Sequence, residues 1–171
     1  MFGLLAVLAR AAVAGEPDQV LVTYEVSVGD RQISGASHSL QWSAAQLGDG
    51  STRVQLRIPV DSFDSGHPQF DSLLRAALQS QKYPYAEIDG VVRSGRFEGT
   101  LELRGVVKPL HTMVHAVQAG GQLVVDASFG VDLAQYGVVL PSFGPKAAVD
   151  FVARLSARPE AVQAGGALSS N

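Results

Sequence analysis

The sequence predicts an all-β domain: an eight-stranded antiparallel barrel with one amphipathic α-helix between strands. Three observations carry that expectation. Apolar and polar residues alternate at period two through most of the chain, the pattern of half-buried strands. One window, residues 68–81, switches to helical spacing. Glycine turns separate runs of strand length, at Gly29-Asp30, Gly48-Asp49-Gly50-Ser51, Ser94-Gly95, Gly105 and Gly120-Gly121.

The clearest stretch is residues 99–117, GTLELRGVVKPLHTMVHAV. Leu101 and Leu103 point one way, and Thr100, Glu102 and Arg104 the other. Gly105 breaks the run, and Pro109 stiffens the entry to a second alternating run over 110–117. Two amphipathic strands around a Gly-x-x-x-Pro corner are expected to be antiparallel neighbours in a curved sheet.

The other elements follow in order. Residues 20–28 place Val20, Val22, Tyr24, Val26 and Val28 on one face. Residues 32–42 have Ile33 and Gly35 in one phase but Leu40 and Trp42 in the other, so a bulge is expected near Gly35 or Ser37. Residues 53–60 turn Val54, Leu56, Ile58 and Val60 inward and Arg53, Gln55 and Arg57 outward. The helix over 68–81 carries Phe70, Leu73, Leu74, Ala77 and Leu78 on one side, with Pro68 in its first turn. Tyr83-Pro84-Tyr85 ends it and opens a strand through 88–92. Residues 96–104 put Phe97, Leu101 and Leu103 on a shared face, and 122–131 do the same for Leu123, Val125, Ala127, Phe129 and Val131. Residues 133–146 read as a loop rich in Gly and Pro, and 147–157 as a closing strand with Val149, Phe151, Ala153 and Leu155 inward. Antiparallel strands of this number protect their edges by closing into a barrel, whose interior is either filled or wide enough for one slender ligand.

Composition bounds the class. A chain of 171 residues, 46% apolar and 17% charged, has one domain's worth of core. A net charge of −3 argues against nucleic acid or an anionic membrane surface as a partner held by Coulomb attraction. With no cysteine there are no disulfides, thiolate metal sites or thiol chemistry. Residues 2–9 are apolar, and Ala12-Val13-Ala14 before Gly15 reads as a signal-peptide cleavage site, so an export signal is expected over 1–14. Arg10 interrupts the apolar run and no Lys or Arg precedes it, which fits a leader whose true start lies upstream. The folded domain is expected over 15–160 and a disordered tail over 161–171. No stretch approaches the ~20 apolar residues of a membrane span.

The block GTLELRGVVKPLHTMV resembles the signature hairpin of the YceI-like family, through Gly105, Val106, Lys108 and Pro109. The segment VDSFDSGHPQFDSLLRAALQSQKYPYAEI is similar to that family's strand, Ser-rich turn, helix and Lys-Tyr-Pro strand opening. Asp132 with Tyr136-Gly137 resembles its late Asp-x-x-x-aromatic-Gly loop. The resemblance covers about residues 20–159. It implies a lipocalin-like barrel that binds polyisoprenoids or similar long-chain lipids, in an exported bacterial protein, periplasmic or secreted. Family members often carry an Arg before Asp71 and a His two places after it, where this chain has Phe70 and Leu73. The Arg often found after the late Asp is Leu133 here. Part of the polar head-group contact is therefore replaced, which points to a different or less polar lipid.

The inward residues expected to line an apolar ligand site are Val22, Tyr24, Val26, Val54, Leu56, Ile58, Phe97, Leu101, Leu103, Leu123, Val125, Phe129, Phe151 and Leu155. Leu74 and Leu78 of the helix could cap one mouth, and Tyr136 and Phe143 could line the other. Alternation alone does not separate a cavity from a filled core. A few isoprene units offer a gross gain on the order of 10 kcal/mol at roughly 0.8 kcal/mol per methylene, against an association cost of about 4–15 kcal/mol. A long tail therefore suffices without a strong polar anchor. No cofactor beyond such a bound lipid is expected, and the protein is expected to be a monomer or weak homodimer. The alternative is a filled barrel that binds a protein partner through its outer face.

Catalysis and metal binding are not expected. His67 and Asp71 lie four apart with Asp61, Ser62, Asp64 and Ser65 nearby, but no nucleophile elbow or oxyanion loop accompanies them. His111 and His115 would share one ion on a helix; on a strand their spacing spans roughly 13 Å, too far for one metal.

Overall fold

The alternating runs do become strands, and pairing each to its neighbours gives one continuous curled sheet. The computed structural model describes residues 20–28, 31–119, 122–140 and 148–157. In chain order the strands are β1 (Val20–Val28), β2 (Arg31–Ser37), β3 (Gln41–Gln46), β4 (Thr52–Pro59), β5 (Tyr85–Arg93), β6 (Arg96–Leu103), β7 (Val106–Ala119), β8 (Gln122–Asp132) and β9 (Ala148–Ala157). One helix, α1 (Pro68–Leu78), joins β4 to β5. The spatial order is β2-β1-β9-β8-β7-β6-β5-β4-β3, antiparallel throughout.

The fold class is the expected one, with nine strands rather than eight. Residues 32–42 form no single bulged strand. They divide at 38–40 into β2, which pairs with β1, and β3, which pairs with β4, at opposite edges of the sheet. The phase slip thus marks the chain crossing from one edge to the other. Between those edges the closure is local. Ala36 and Asp64 exchange two backbone hydrogen bonds of 2.9 and 3.0 Å, and the Ser37 and Ser62 hydroxyls lie 2.6 Å apart. The sheet is therefore a half-barrel fastened at one point, with a concave and a convex face.

Gly35 serves a different purpose from a bulge. It pairs with Tyr24, and a Cβ there would overlap the Tyr24 ring. Gly90 and Gly99 face each other across β5 and β6, and a Cβ on either would meet the tip of the Phe97 ring and the opposing backbone. The paired glycines make the slot that the ring occupies. Gly90→Ala is accordingly expected to cost about 1–3 kcal/mol by overpacking, read as a lowered urea midpoint at unchanged slope.

Pro109 is not a corner. The hairpin turns at Arg104-Gly105, both at positive φ, and β7 begins at Val106. Residues 106–113 of β7 pair only with β6, and 114–119 pair with β8. The missing N–H of Pro109 falls where β7 has one neighbour, as strand prolines require. Helix α1 is three residues shorter than expected because Gln79 turns left-handed (φ 53°) and caps it, with the Ser80 N–H donating to the Arg75 carbonyl at 3.0 Å. The expected loop after β8 starts with a 3-10 turn over Leu133–Tyr136, where the Asp132 carboxylate accepts from the Ala134 N–H at 3.0 Å.

Phe70, Leu74 and Leu78 of α1 join Val22, Tyr24, Val26, Ile58, Leu101 and Leu103 from the concave face in one buried cluster. Leu133, Tyr136, Val138 and Leu140 complete it from the segment after β8. The expected signal segment over 1–14, the tail over 161–171 and Phe143 lie outside the described residues.

Candidate functional site: an apolar trough on the concave face

The concave face has two ends with different packing. Under α1 the side chains close on one another. Tyr24, Val26, Phe63, Leu74, Leu78, Leu103 and Leu133 leave a void of about 20 Å³, room for about one water and far too little for a lipid tail. This end is a solid core.

Its Asp71 and His67 side chains are committed. Asp71, 4% exposed, accepts from the Ser65 N–H at 3.1 Å and from the Ser65 hydroxyl at 2.7 Å. His67 Nδ1 lies 3.0 Å from the Ser65 carbonyl oxygen. The spacing of His67 and Asp71 therefore gives no acid–base pair, because each side chain is bonded to Ser65. The Tyr24 ring meets Phe63 edge-on, with centroids 5.1 Å apart.

The Tyr24 hydroxyl is pushed up to about 12, first by burial and then by the Asp71 carboxylate. An unfolded tyrosine titrates near 10. Between those values the folded chain holds a proton that the unfolded chain has lost. Stability from this group is thus fully present below about pH 10 and lost as the pH rises toward 12. In denaturant melts across that range, Tyr24→Phe is expected to flatten the alkaline decline. An unchanged decline would assign it to other groups.

At the far end the concave face opens. A cavity of about 70 Å³ is walled by Val54 and Leu56 on β4, Ile88 and Val92 on β5, and Phe97 on β6. Leu110, Thr112 and Val114 on β7 and Val125, Ala127 and Phe129 on β8 complete it. Val54, Leu56, Val92, Val114, Val125, Ala127 and Phe129 are only half-buried, although they are apolar and inward-facing. The cavity is the inner part of a trough that reaches solvent. Thr112 supplies the single hydroxyl, and it already donates to the Ser128 carbonyl at 2.6 Å. The walls can enclose a hydrocarbon chain, and they offer no nucleophile, acid or base.

The expected site residues thus divide. Val54, Leu56, Phe97, Val125 and Phe129 line the trough. Val22, Tyr24, Val26, Ile58, Leu74, Leu78, Leu101, Leu103 and Tyr136 pack in the closed core. Leu123, Phe151 and Leu155 occupy strand positions in register with inward residues, and their side chains are not described. Ile88, Val92, Leu110, Thr112, Val114 and Ala127 line the trough without having been singled out, although Leu110, Thr112 and Val114 sit in one alternating run that the sequence displays.

The convex face is polar across β4 and β5, where Arg53–Asp89 and Arg57–Glu87 pair at 2.9 Å. His111 and His115 are exposed on β7. Among the described residues no three His, Asp or Glu side chains gather as a metal site would need, and no helix is long and apolar enough to cross a membrane.

Residues 15–156 match the family model described as a YceI-like domain. Among solved structures, Burkholderia cenocepacia BcnA superposes with a TM-score of 0.72 at 16% identity, covering 81% of this chain and 96% of that one. A polyisoprenoid-binding domain from Saccharophagus degradans, implicated in plant cell wall breakdown, gives 0.65 at 16% identity, covering 82% and 98%. The Campylobacter jejuni YceI protein gives 0.62 at 11% identity, covering 77% and 87%. At these identities the likeness is one of fold. No curated protein matches the chain.

Proposed function

We propose a function from one premise: the chain belongs to the YceI-like domain family. The protein is a binding protein that encloses the tail of a polyisoprenoid or other long-chain lipid in the apolar trough, for transport or storage, without covalent chemistry. The observation that carries this reading is the open end of the concave face, where seven inward apolar side chains stay half-buried. Burying them is worth about 25 cal/mol per Å² of apolar surface removed from water, and a hydrocarbon tail does so without leaving any polar wall group unsatisfied. The similar Saccharophagus degradans domain is a polyisoprenoid binder, which supports the same ligand class here. The 70 Å³ cavity seats only the end of such a tail, so the rest lies along the trough toward its open side.

Export to the periplasm or cell exterior belongs to this proposal, supported by the apolar run and small-residue site over 1–14. A monomer or weak homodimer suffices for it.

The single tryptophan, Trp42, pairs with the trough residue Leu56 across β3 and β4 and shares its face. A long-chain lipid brominated on its tail is expected to quench Trp42 fluorescence saturably, near one ligand per chain. Quenching no greater than that of a water-soluble bromide would refute enclosure on this face.

A further inference from the structure

We propose that Leu101 and Val131 form a stop across the concave face, so that the site senses about three isoprene units of a tail and does not distinguish longer ones. This rests on the enclosure reading above and specifies which tails the trough tells apart.

Two spaces lie on this face, the trough and the small void under α1, and no described residue lines both. Leu101 stands between them. Its cross-strand partner Ile88 lines the trough, while Leu103, the next inward residue of β6, lines the void. Val131 holds the equivalent place at the end of β8, between Phe129, which lines the trough, and Leu133, which lines the void. Leu101 and Val131 themselves line neither space, and they are 3% and 5% exposed. The Phe97 ring covers Gly99, so Leu101 is the next β6 side chain past that ring towards α1. For a tail to go deeper, a buried Leu and a buried Val would have to leave close-packed positions, which interiors of this density resist.

The opposite end has no such barrier. Along the inward positions of β7, Leu110 is buried, Thr112 and Val114 are half-buried, and Ala116 is exposed. Cover therefore fades with distance from the stop. Leu110 to Val114 spans about 14 Å of strand, roughly the length of three isoprene units. Carbons beyond that length remain in water at the mouth, where they remove no apolar surface and add no affinity.

The test is titration calorimetry with geraniol, farnesol and geranylgeraniol, which carry two, three and four isoprene units on the same head. Each is titrated into the wild-type chain, Leu101→Ala and Val131→Ala. Wild-type affinity is expected to rise about tenfold or more from geraniol to farnesol and less than about threefold from farnesol to geranylgeraniol. Leu101→Ala should open the trough towards the void and restore a gain of about tenfold at the fourth unit. Val131→Ala removes less and should move the limit the same way by a smaller factor. Both are core truncations, so each variant is first checked for a cooperative urea transition, and the wild-type series reads the length limit without them. A gain that continues undiminished to geranylgeraniol in the wild type overturns the stop and leaves enclosure standing. A limit at farnesol that persists in either folded variant overturns the part assigned to that side chain. Should none of the alcohols bind the wild type, enclosure falls and the stop with it.

Discussion

Ala127→Phe is expected to abolish useful lipid binding while leaving the chain folded. Ala127 lines the cavity from β8, paired with Val114 of β7 on one side and with Ala153 of β9 on the other. A benzyl group in place of the methyl fills the roughly 70 Å³ into which the tail end would reach. Excluding about four methylenes forfeits about 3 kcal/mol, on the order of a hundredfold in affinity. None of the side chains that close around Tyr24 and Phe63 under α1 lines that cavity, which is open to solvent, so the urea midpoint should change little. Unchanged affinity in a folded Ala127→Phe chain would place the ligand elsewhere.

Phe97→Ala is the complementary case, with its main effect on stability. The Phe97 ring lies over Gly90 and Gly99, is 5% exposed and forms part of the trough wall. Neither glycine has a side chain to move into the space, so the cavity left behind cannot collapse. The expected loss is about 3–5 kcal/mol, the upper range for large-to-small core changes, measured by equilibrium urea unfolding. A loss below about 1 kcal/mol would mean that the glycine slot closes by itself.

These two sites mark how far the sequence could be read. Alternation marked out the strand-forming runs, because a half-buried strand shows its period locally, but it ran β2 and β3 together as one. The helix was legible for the same reason, apart from its end, which Gln79 sets by turning left-handed. Pairing is long-range information and was not legible. A phase slip near Ser37 looks the same whether the strand bulges or the chain leaves one sheet edge for the other. Only the partners of β2 and β3 separate the two.

The site followed the same division. Inward phase was readable at Val54, Leu56, Phe97, Val125 and Phe129. Which inward residues close under α1 and which stay half-buried depends on where the helix lands, and that depends on tertiary packing. A strand start is also hard to place locally: Pro109 lies inside β7, which begins at Val106. Asp71 shows the converse, since its four-residue spacing from His67 suggested chemistry while its hydrogen-bond partner is Ser65.

The most direct test of enclosure is native mass spectrometry of the chain purified without detergent, followed by solvent extraction and lipid analysis. The account predicts a one-to-one adduct that extracts as a long-chain isoprenoid or related lipid. A bare mass, from a chain that also ignores added prenyl and fatty-acyl probes, would contradict it.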